Sequence, residues 1–472
     1  MNEHQEETFD VIVLGGGPAG EVAGEYAVRG TSLTCALVES ALLGGECSYW
    51  ACMPSKALLR PLEVAGAANH LQGLTGTQVQ VPALLGRRDT WRSHLDDSGQ
   101  ASWAKGAGLT VVRGQGRLAG PRTVEVSTPT GTRRLTARVA VVLATGSAPS
   151  IPGSLQGVNP WTSRDATGVV EVPDRLAIVG GGVVACEAAT WLSALGSKVT
   201  MLVRGDSLLG SFEPFAGEAV AKELRSSGVE VCTGSTVEAA TRADPTSGGD
   251  VGHLHGGPVT LTVGGQSLEV DEVLVATGRR PNLAEVGLDT VGLAPDDLTG
   301  ALEVVDGWLY AVGDVGGGPK LTHWGKYQAR QVGAMIAAHH RGTAVPQAPD
   351  EVPVPQVVFS QPQVASVGPT LEQARAAGRQ VRAVDQDLGS AAGWGLLRDD
   401  ASGRARLVIE GDRIIGATFV GQEVAELLHA ATIAIVGGVP VDRLAHAVAA
   451  YPTASEIWLS LVEAALDTRT PE

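Results

Sequence analysis

Apolar residues in this chain gather in short runs that end on glycines. Phe9 to Leu14 is apolar and β-branched, the composition of a strand buried on both faces of a parallel sheet. It runs into Gly15-Gly16-Gly17-Pro18-Ala19-Gly20, a helical stretch starts near Glu21, and a second apolar run, Leu33 to Val38, closes on the acid Glu39. Strand, glycine turn, helix and strand in that order predict a βαβ unit of the kind that holds a dinucleotide.

The unit recurs. Leu176 to Val179 leads into Gly180-Gly181-Gly182-Val183-Val184-Ala185, a helix through about Leu195 and a strand from Lys198 to Val203. The interval from Gly15 to Glu39 equals that from Gly180 to Arg204, with no gap. Each unit is followed by a strand ending in Ala-Thr-Gly, one running from Val139 to Gly146 and the other from Val273 to Gly278. A lone glycine fingerprint is weak, but two full units of matching length predict two nucleotide-binding modules. Between them, Ala57 to Arg117 mixes helical stretches with turn residues. Thr241 to Pro258, rich in Gly, Asp and His, reads as the exposed loop of a β-hairpin or meander, with His253 and His255 solvated. After Arg280-Pro281-Asn282, Leu309 to Asp314 is a short strand ending in an acid. A proline-rich linker, Ala344 to Pro355, then introduces a last unit of alternating strands and helices.

Composition narrows the function classes. A chain of 472 residues exceeds one ordinary core, so two to four domains are expected. A net charge of −16 argues against nucleic acid, which needs clustered Lys and Arg. No apolar stretch reaches the roughly 20 residues of a membrane span. Met1 to Thr8 is polar and acidic, without a signal pattern, and the five cysteines are too few for a secreted disulfide scaffold. A cytoplasmic enzyme acting on a small molecule, with neither nucleic acid nor membrane as partner, is the expectation.

The chemistry concentrates in Gly44-Gly45-Glu46-Cys47-Ser48-Tyr49-Trp50-Ala51-Cys52-Met53-Pro54-Ser55-Lys56. Two cysteines with four residues between them are open to three readings: structural thiols, a metal site or a redox pair. No second Cys or His pair stands at ligand spacing, so no metal site is assigned. The whole string resembles the redox-active segment of the flavoprotein disulfide reductases, the family of glutathione reductase, lipoamide dehydrogenase and mercuric reductase. The resemblance runs over almost the whole chain.

The resemblance implies an α/β chain with two Rossmann-like domains, for FAD and NAD(P), and a C-terminal α+β dimerisation domain. Residues 1–155 and 283–350 would form the FAD and central domain, 156–282 the NAD(P) domain and 351–472 the interface of a homodimer. FAD would lie on Gly15, Gly17, Pro18, Ala19 and Gly20, with Glu39 at its ribose, Gly45 and Ala144-Thr145-Gly146 nearby, and Gly313-Asp314 at the ribityl side. The nicotinamide nucleotide would use Gly180, Gly182, Arg204 and Gly278. A guanidinium at Arg204, where an acid would repel a 2′-phosphate, favours NADPH over NADH. Cys47 would meet the substrate and Cys52 the flavin, each as a thiolate of lowered pKa, helped by a helix starting nearby. Lys56, paired with Glu187, would stabilise charge on the reduced ring. Tyr49 and Trp50 read as core filler or as residues that narrow access to the pair.

The pattern breaks near the C-terminus. Relatives carry His-Pro-Thr-x-Ser-Glu, reaching the partner's active site, with the histidine as acid-base and the glutamate orienting it. This chain reads Tyr451-Pro452-Thr453-Ala454-Ser455-Glu456. A phenol titrates near pH 10 and is a poor proton shuttle at neutrality. His446 cannot replace it if, as the pattern suggests, it lies in an amphipathic helix. The electron acceptor stays open: a disulfide, a metal ion as in mercuric reductase, or a quinone with the dithiol vestigial. The tail from Leu466 to Glu472 lacks the cysteines of mercuric reductase.

Overall fold

The structure, a computed structural model, describes residues 6–246, 250–298, 300–345, 349 and 351–467. The expectations for residues 1–5, for 247–249 of the Thr241–Pro258 loop, for 346–348 and 350 of the linker and for the tail from 468 fall outside the described residues. The chain forms two compact units: Met1–Pro54, Asp89–Pro149 and Arg279–Asp350 make one, and Ser55–Arg88, Ser150–Gly278 and Glu351–Glu472 the other.

In the first unit the strand Glu6–Leu14 is central and parallel to its neighbours, pairing Val11 with Cys35 on one side and with Ala140 on the other. Its apolar run is continuous because its side chains feed two cores in alternation. Ile12 and Leu14 join Val38, Val141 and Leu143 on one face. Val11 and Val13 join Leu37, Val142 and Tyr310 on the other, beneath the helices Pro18–Val28 and Thr322–Arg341. The sheet runs Glu303–Val305, Leu309–Ala311, Gly131–Leu143, Glu6–Leu14, Cys35–Glu39, Leu109–Arg113.

The second unit repeats the βαβ plan. A parallel sheet orders Glu230–Cys232, Lys198–Leu202, Arg175–Val179 and Glu272–Val275, and the helix Val183–Ala194 follows the glycine turn. Beside it stands a meander of Val237–Arg242, Val259–Val263 and Gln266–Val270. The same unit holds a five-stranded antiparallel sheet built from residues 356–421, with the helix Ile457–Asp467 in its core.

Two expectations are corrected. His255 is buried, not solvated: its amide donates to Glu272 Oε2 at 2.9 Å, its Nδ1 lies 2.9 Å from the Asn159 carbonyl oxygen and its Nε2 lies 3.5 Å from Asp165 Oδ1. The loop is drawn in because Arg242 and Glu272, both fully buried, pair beneath it, and only a further polar group satisfies the remaining carboxylate oxygen. His253 does keep an exposed side chain. The second correction concerns His446. The local helix, Val441–Leu444, ends two residues earlier, and His446 sits in an exposed turn. Among the described residues no helix is long and apolar enough to cross a membrane.

Candidate active site

The first unit brings the expected cofactor residues together around one turn. Gly15 has φ +106°, and a Cβ there would lie 2.2 Å from the carbonyl oxygen of Ala144. Pro18 opens the helix, and the N-cap, Gly17, has no side-chain cap, so the first-turn amides are left for a ligand. A Cβ on Gly45 would come within 2.8 Å of Gly17 Cα, and one on Gly313 within 3.1 Å of Ala19 Cβ. Backbone thus meets backbone where a pyrophosphate would need it to, and these residues fit FAD.

Glu39 ends its strand with both oxygens engaged: the amide of Gly16 donates to Oε2 and that of Ala41 to Oε1, each at 2.7 Å. It lines a cavity of 340 Å³ with Gly15, Ser40, Gln115, Thr145 and Asn282. Thr145 Oγ1 donates to the Asn282 carbonyl at 2.7 Å, and the Asn282 amide returns a bond to Gly146 at 2.9 Å. Asp314 accepts from Ser147 Oγ, which in turn accepts from Arg279 Nε at 2.7 Å. Ser147 and Arg279 carry no local motif and were not expected.

The cysteine segment folds as a helical turn, Gly45–Tyr49, followed by the helix Cys52–Ala68, which starts on the second cysteine. Cys52 Sγ lies 3.3 Å from Thr322 Oγ1. The lowered pKa expected at both sulfurs fails at Cys47, whose thiol is pushed well up, first by its neighbour Cys52 and then by burial, with Thr322 and Lys326 opposing. Two adjacent thiols cannot both ionise cheaply, which is the physical cause of the upward shift at Cys47. Tyr49 is core filler: it is buried and its hydroxyl donates to the Leu43 carbonyl at 2.8 Å. Trp50 is half-buried, with the Arg92 guanidinium 5.6 Å from its ring centre. By contrast Cys35 and Cys186 are buried among apolar side chains, and burial pushes each thiol up to about 12.

In the second unit Lys56 Nζ donates to both oxygens of Glu187, at 3.0 and 2.7 Å, and the Phe359 amide donates to the same carboxylate at 3.0 Å. Gly180, with φ +133°, repeats the close approach, its Cβ position 2.4 Å from the Ala276 carbonyl oxygen. Among the described residues, and apart from the chain neighbours, no heavy atom lies within 4 Å of where a Cβ on Gly182 or Gly278 would stand. Arg204 is exposed just past the strand Lys198–Leu202, next to Val203, which packs on Gly181. Tyr451 is 77% exposed. Glu456 is half-buried and accepts from the Gly393 amide at 3.3 Å. Thr322, missed by sequence reading, is 270 residues from the sulfur it meets, and no local signal marks it.

Residues 9–329 match the family model for pyridine nucleotide-disulphide oxidoreductases, and 354–462 match that family's dimerisation domain. Dihydrolipoyl dehydrogenase of Geobacillus stearothermophilus is 31% identical over 97% of this chain and 96% of its own. That of Chlorobaculum tepidum is 32% identical over 97% of each. Among solved structures, LpdA of Mycobacterium tuberculosis superposes with TM-score 0.81 at 23% identity, covering 97% of this chain and 99% of its own. The Cu(II) complex of the HOCl-induced flavoprotein disulfide reductase RclA of Escherichia coli does so with 0.80 at 22%, covering the same shares.

Proposed function

The chain belongs to the pyridine nucleotide-disulphide oxidoreductase family, and on that premise we propose that it oxidises NADPH, with FAD as resident cofactor, and passes the electrons through Cys47 and Cys52 to a small electrophile. The observation that carries this reading is the placement of Cys52, at a helix start with its sulfur 3.3 Å from the Thr322 hydroxyl, in the same segment as Cys47. FAD, when bound, supplies the two-electron chemistry between nicotinamide and sulfur.

The protein's own residues divide the remaining work. Gly15, Gly17, Pro18, Ala19, Gly20, Gly45, Gly313, Glu39 and Asp314 would hold the cofactor, and Lys56 with Glu187 supplies the fixed cation that the resemblance sets beside the ring. Thr322 and the helix N-terminus favour negative charge on Cys52. Cys47, half-buried, attacks the acceptor once its proton is taken. Arg204, exposed at its strand's end, is free to pair with a 2′-phosphate and supports NADPH over NADH. The dimerisation-domain match and the exposed Ile433, Val436 and Val448 support a homodimer in which the C-terminal segment of the partner subunit completes the site.

Tyr451 directs the test. Removing a general acid costs about 10²- to 10⁴-fold in rate, so glutathione disulfide and lipoamide should turn over slowly, whereas quinones, which release no thiolate, should not suffer. Steady-state rates with NADPH and NADH across these acceptors, for the native protein, Tyr451→His and Cys47→Ser, decide it. The histidine variant should gain on disulfides, and the serine variant should lose them. Disulfide turnover at hundreds per second by the native protein would overturn the acid-base argument, and acceptor reduction indifferent to Cys47→Ser would favour a quinone reductase with a vestigial dithiol.

A further inference from the structure

One guanidinium reaches from the acid expected at the flavin's ribityl side to the turn that carries the first cysteine. Arg279 opens the strand Arg279–Pro281, which pairs antiparallel with Ser147–Pro149. Its Nε donates to Ser147 Oγ at 2.7 Å and its Nη2 to the Ser147 carbonyl oxygen at 2.5 Å. Ser147 is buried, and its hydroxyl donates to Asp314 Oδ2. A hydroxyl owns one proton, so with a lone pair taken by the guanidinium that proton is committed to the carboxylate. Asp314 Oδ1 takes no bond from another described residue and is left for a ligand hydroxyl. The same Nη2 of Arg279 lies 3.8 Å from Glu46 Oε2, a long ion pair between two half-buried side chains. Glu46 precedes Cys47 in the turn Gly45–Tyr49. Backbone already pins that turn to the nucleotide loop: the Gly44 amide donates to the Gly16 carbonyl at 2.8 Å, and a Cβ on Gly45 would meet Gly17 Cα at 2.8 Å. Arg279 adds a side-chain tie to it.

We propose that Arg279 is a positioning residue that joins cofactor holding to cysteine placement: through Ser147 it sets the Asp314 carboxylate for a ribityl hydroxyl, and through Glu46 it steadies the turn that carries Cys47. This assignment rests on FAD lying on the first module. A guanidinium suits the task because it is planar and donates in fixed directions, so one group serves the serine and the glutamate together. A lysine ammonium is a compact point charge: it can offset Glu46 but cannot reproduce the paired bonds to the hydroxyl and carbonyl of Ser147. The two arms are therefore separable. Loss of the serine arm loosens Asp314 and weakens the hold on the cofactor. Loss of the glutamate arm leaves the cofactor in place and frees the cysteine turn.

The test reads two quantities on each variant of the full chain: the FAD dissociation constant, from flavin fluorescence as the protein is titrated with FAD, and the hydrogen exchange of residues 44–50 at saturating FAD. Ser147→Ala should weaken FAD about tenfold, the loss of one charge-assisted hydrogen bond, and leave exchange in the turn unchanged. Glu46→Ala should leave FAD affinity within about twofold and speed exchange in the turn about twofold to fivefold, the scale of one partly exposed ion pair. Arg279→Met should do both, and adding Ser147→Ala to it should weaken FAD no further, because the two residues act as one unit. Arg279→Lys should restore the turn but not the cofactor. Native FAD affinity in Arg279→Met, or losses that add in the double variant, would overturn the cofactor arm. Native exchange of the turn in both Arg279→Met and Glu46→Ala would overturn the cysteine arm. If Arg279→Met fails to fold, Ser147→Ala, Glu46→Ala and Arg279→Lys still decide both arms. A native protein that binds no FAD would overturn the cofactor reading itself, and the exchange of the turn in Glu46→Ala would still decide its tie to Arg279.

Discussion

A Cβ on Gly20, the last glycine of the first nucleotide turn, would stand 1.8 Å from the Gly15 carbonyl oxygen; the equivalent place in the second turn is Ala185, fully buried with its methyl group accommodated. The strands that follow diverge too. Glu39 is fastened by the amides of Gly16 and Ala41, whereas Arg204 stands exposed. The first module is tight and prearranged, which suits a ligand that stays; the second is looser and offers a solvated charge, which suits one that comes and goes. Their β-meanders differ in the same spirit. In the first, the antiparallel strands Gln115–Leu118, Thr123–Thr128 and Gly131–Leu143 close over Leu118, Val124, Val126 and Leu135, all fully buried, and the second closes over the ion pair of Arg242 with Glu272 and the ring of His255.

The largest effect should come from breaking that ion pair. Arg242→Ala leaves Glu272 charged and without its partner in the core and should cost about 3 to 5 kcal/mol in denaturant unfolding of the second module. Arg242→Met with Glu272→Leu should recover most of it, and a single variant as stable as the native chain would mean that water reaches the carboxylate. Next comes the turn itself. Gly20→Ala should cost about 1 to 3 kcal/mol through overpacking and reduce the FAD content of purified protein, while Ala185→Gly should cost about 1 kcal/mol or less; equal costs would erase the distinction between the two turns. Arg204→Ala should lower kcat/KM for NADPH by about 1 to 2 kcal/mol, on the order of tenfold, and leave NADH unchanged. The smallest effect concerns pH. Asp165 and the Asn159 carbonyl raise the His255 pKa above its ordinary value. Its contribution is therefore complete below about pH 6.5 and fades as pH rises through the higher folded value, by at most about 1 kcal/mol. His255→Gln should flatten that slope, and a slope of opposite sign would contradict it.

How far the chain could be read from its sequence follows from distance along it. Both βαβ units, the meander and the helix starting on Cys52 are local patterns of apolar spacing, glycine and turn residues, and they stand in the structure within a few residues of expectation. The burial of His255 was illegible because it depends on Arg242 meeting Glu272 across a loop whose composition is that of a solvated turn. Thr322 reaches Cys52 from 270 residues along the chain, a distance that no local pattern bridges. The helix expected around His446 stops at Leu444, and the run that follows, Ala445 to Ala450, is mostly exposed, Val448 to 93%.

The buried thiols of the two modules carry a consequence for how such a molecule ages. With pKa values pushed to about 12, Cys35 and Cys186 hold only about one thiolate in 10⁵ at pH 7. Peroxide and hypohalous acids attack thiolate first, and climbing from sulfenic to sulfinic acid inside either sheet would place a charged group where only apolar side chains stand. On the proposed reading of Cys47 and Cys52 as a redox pair, oxidation there would be reversible, whereas at Cys35 or Cys186 it would disrupt a core. A peroxide titration followed by peptide mapping should find Cys52 modified, or joined to Cys47 as a disulfide, before either core thiol, with the melting transition unmoved until Cys35 or Cys186 begins to react.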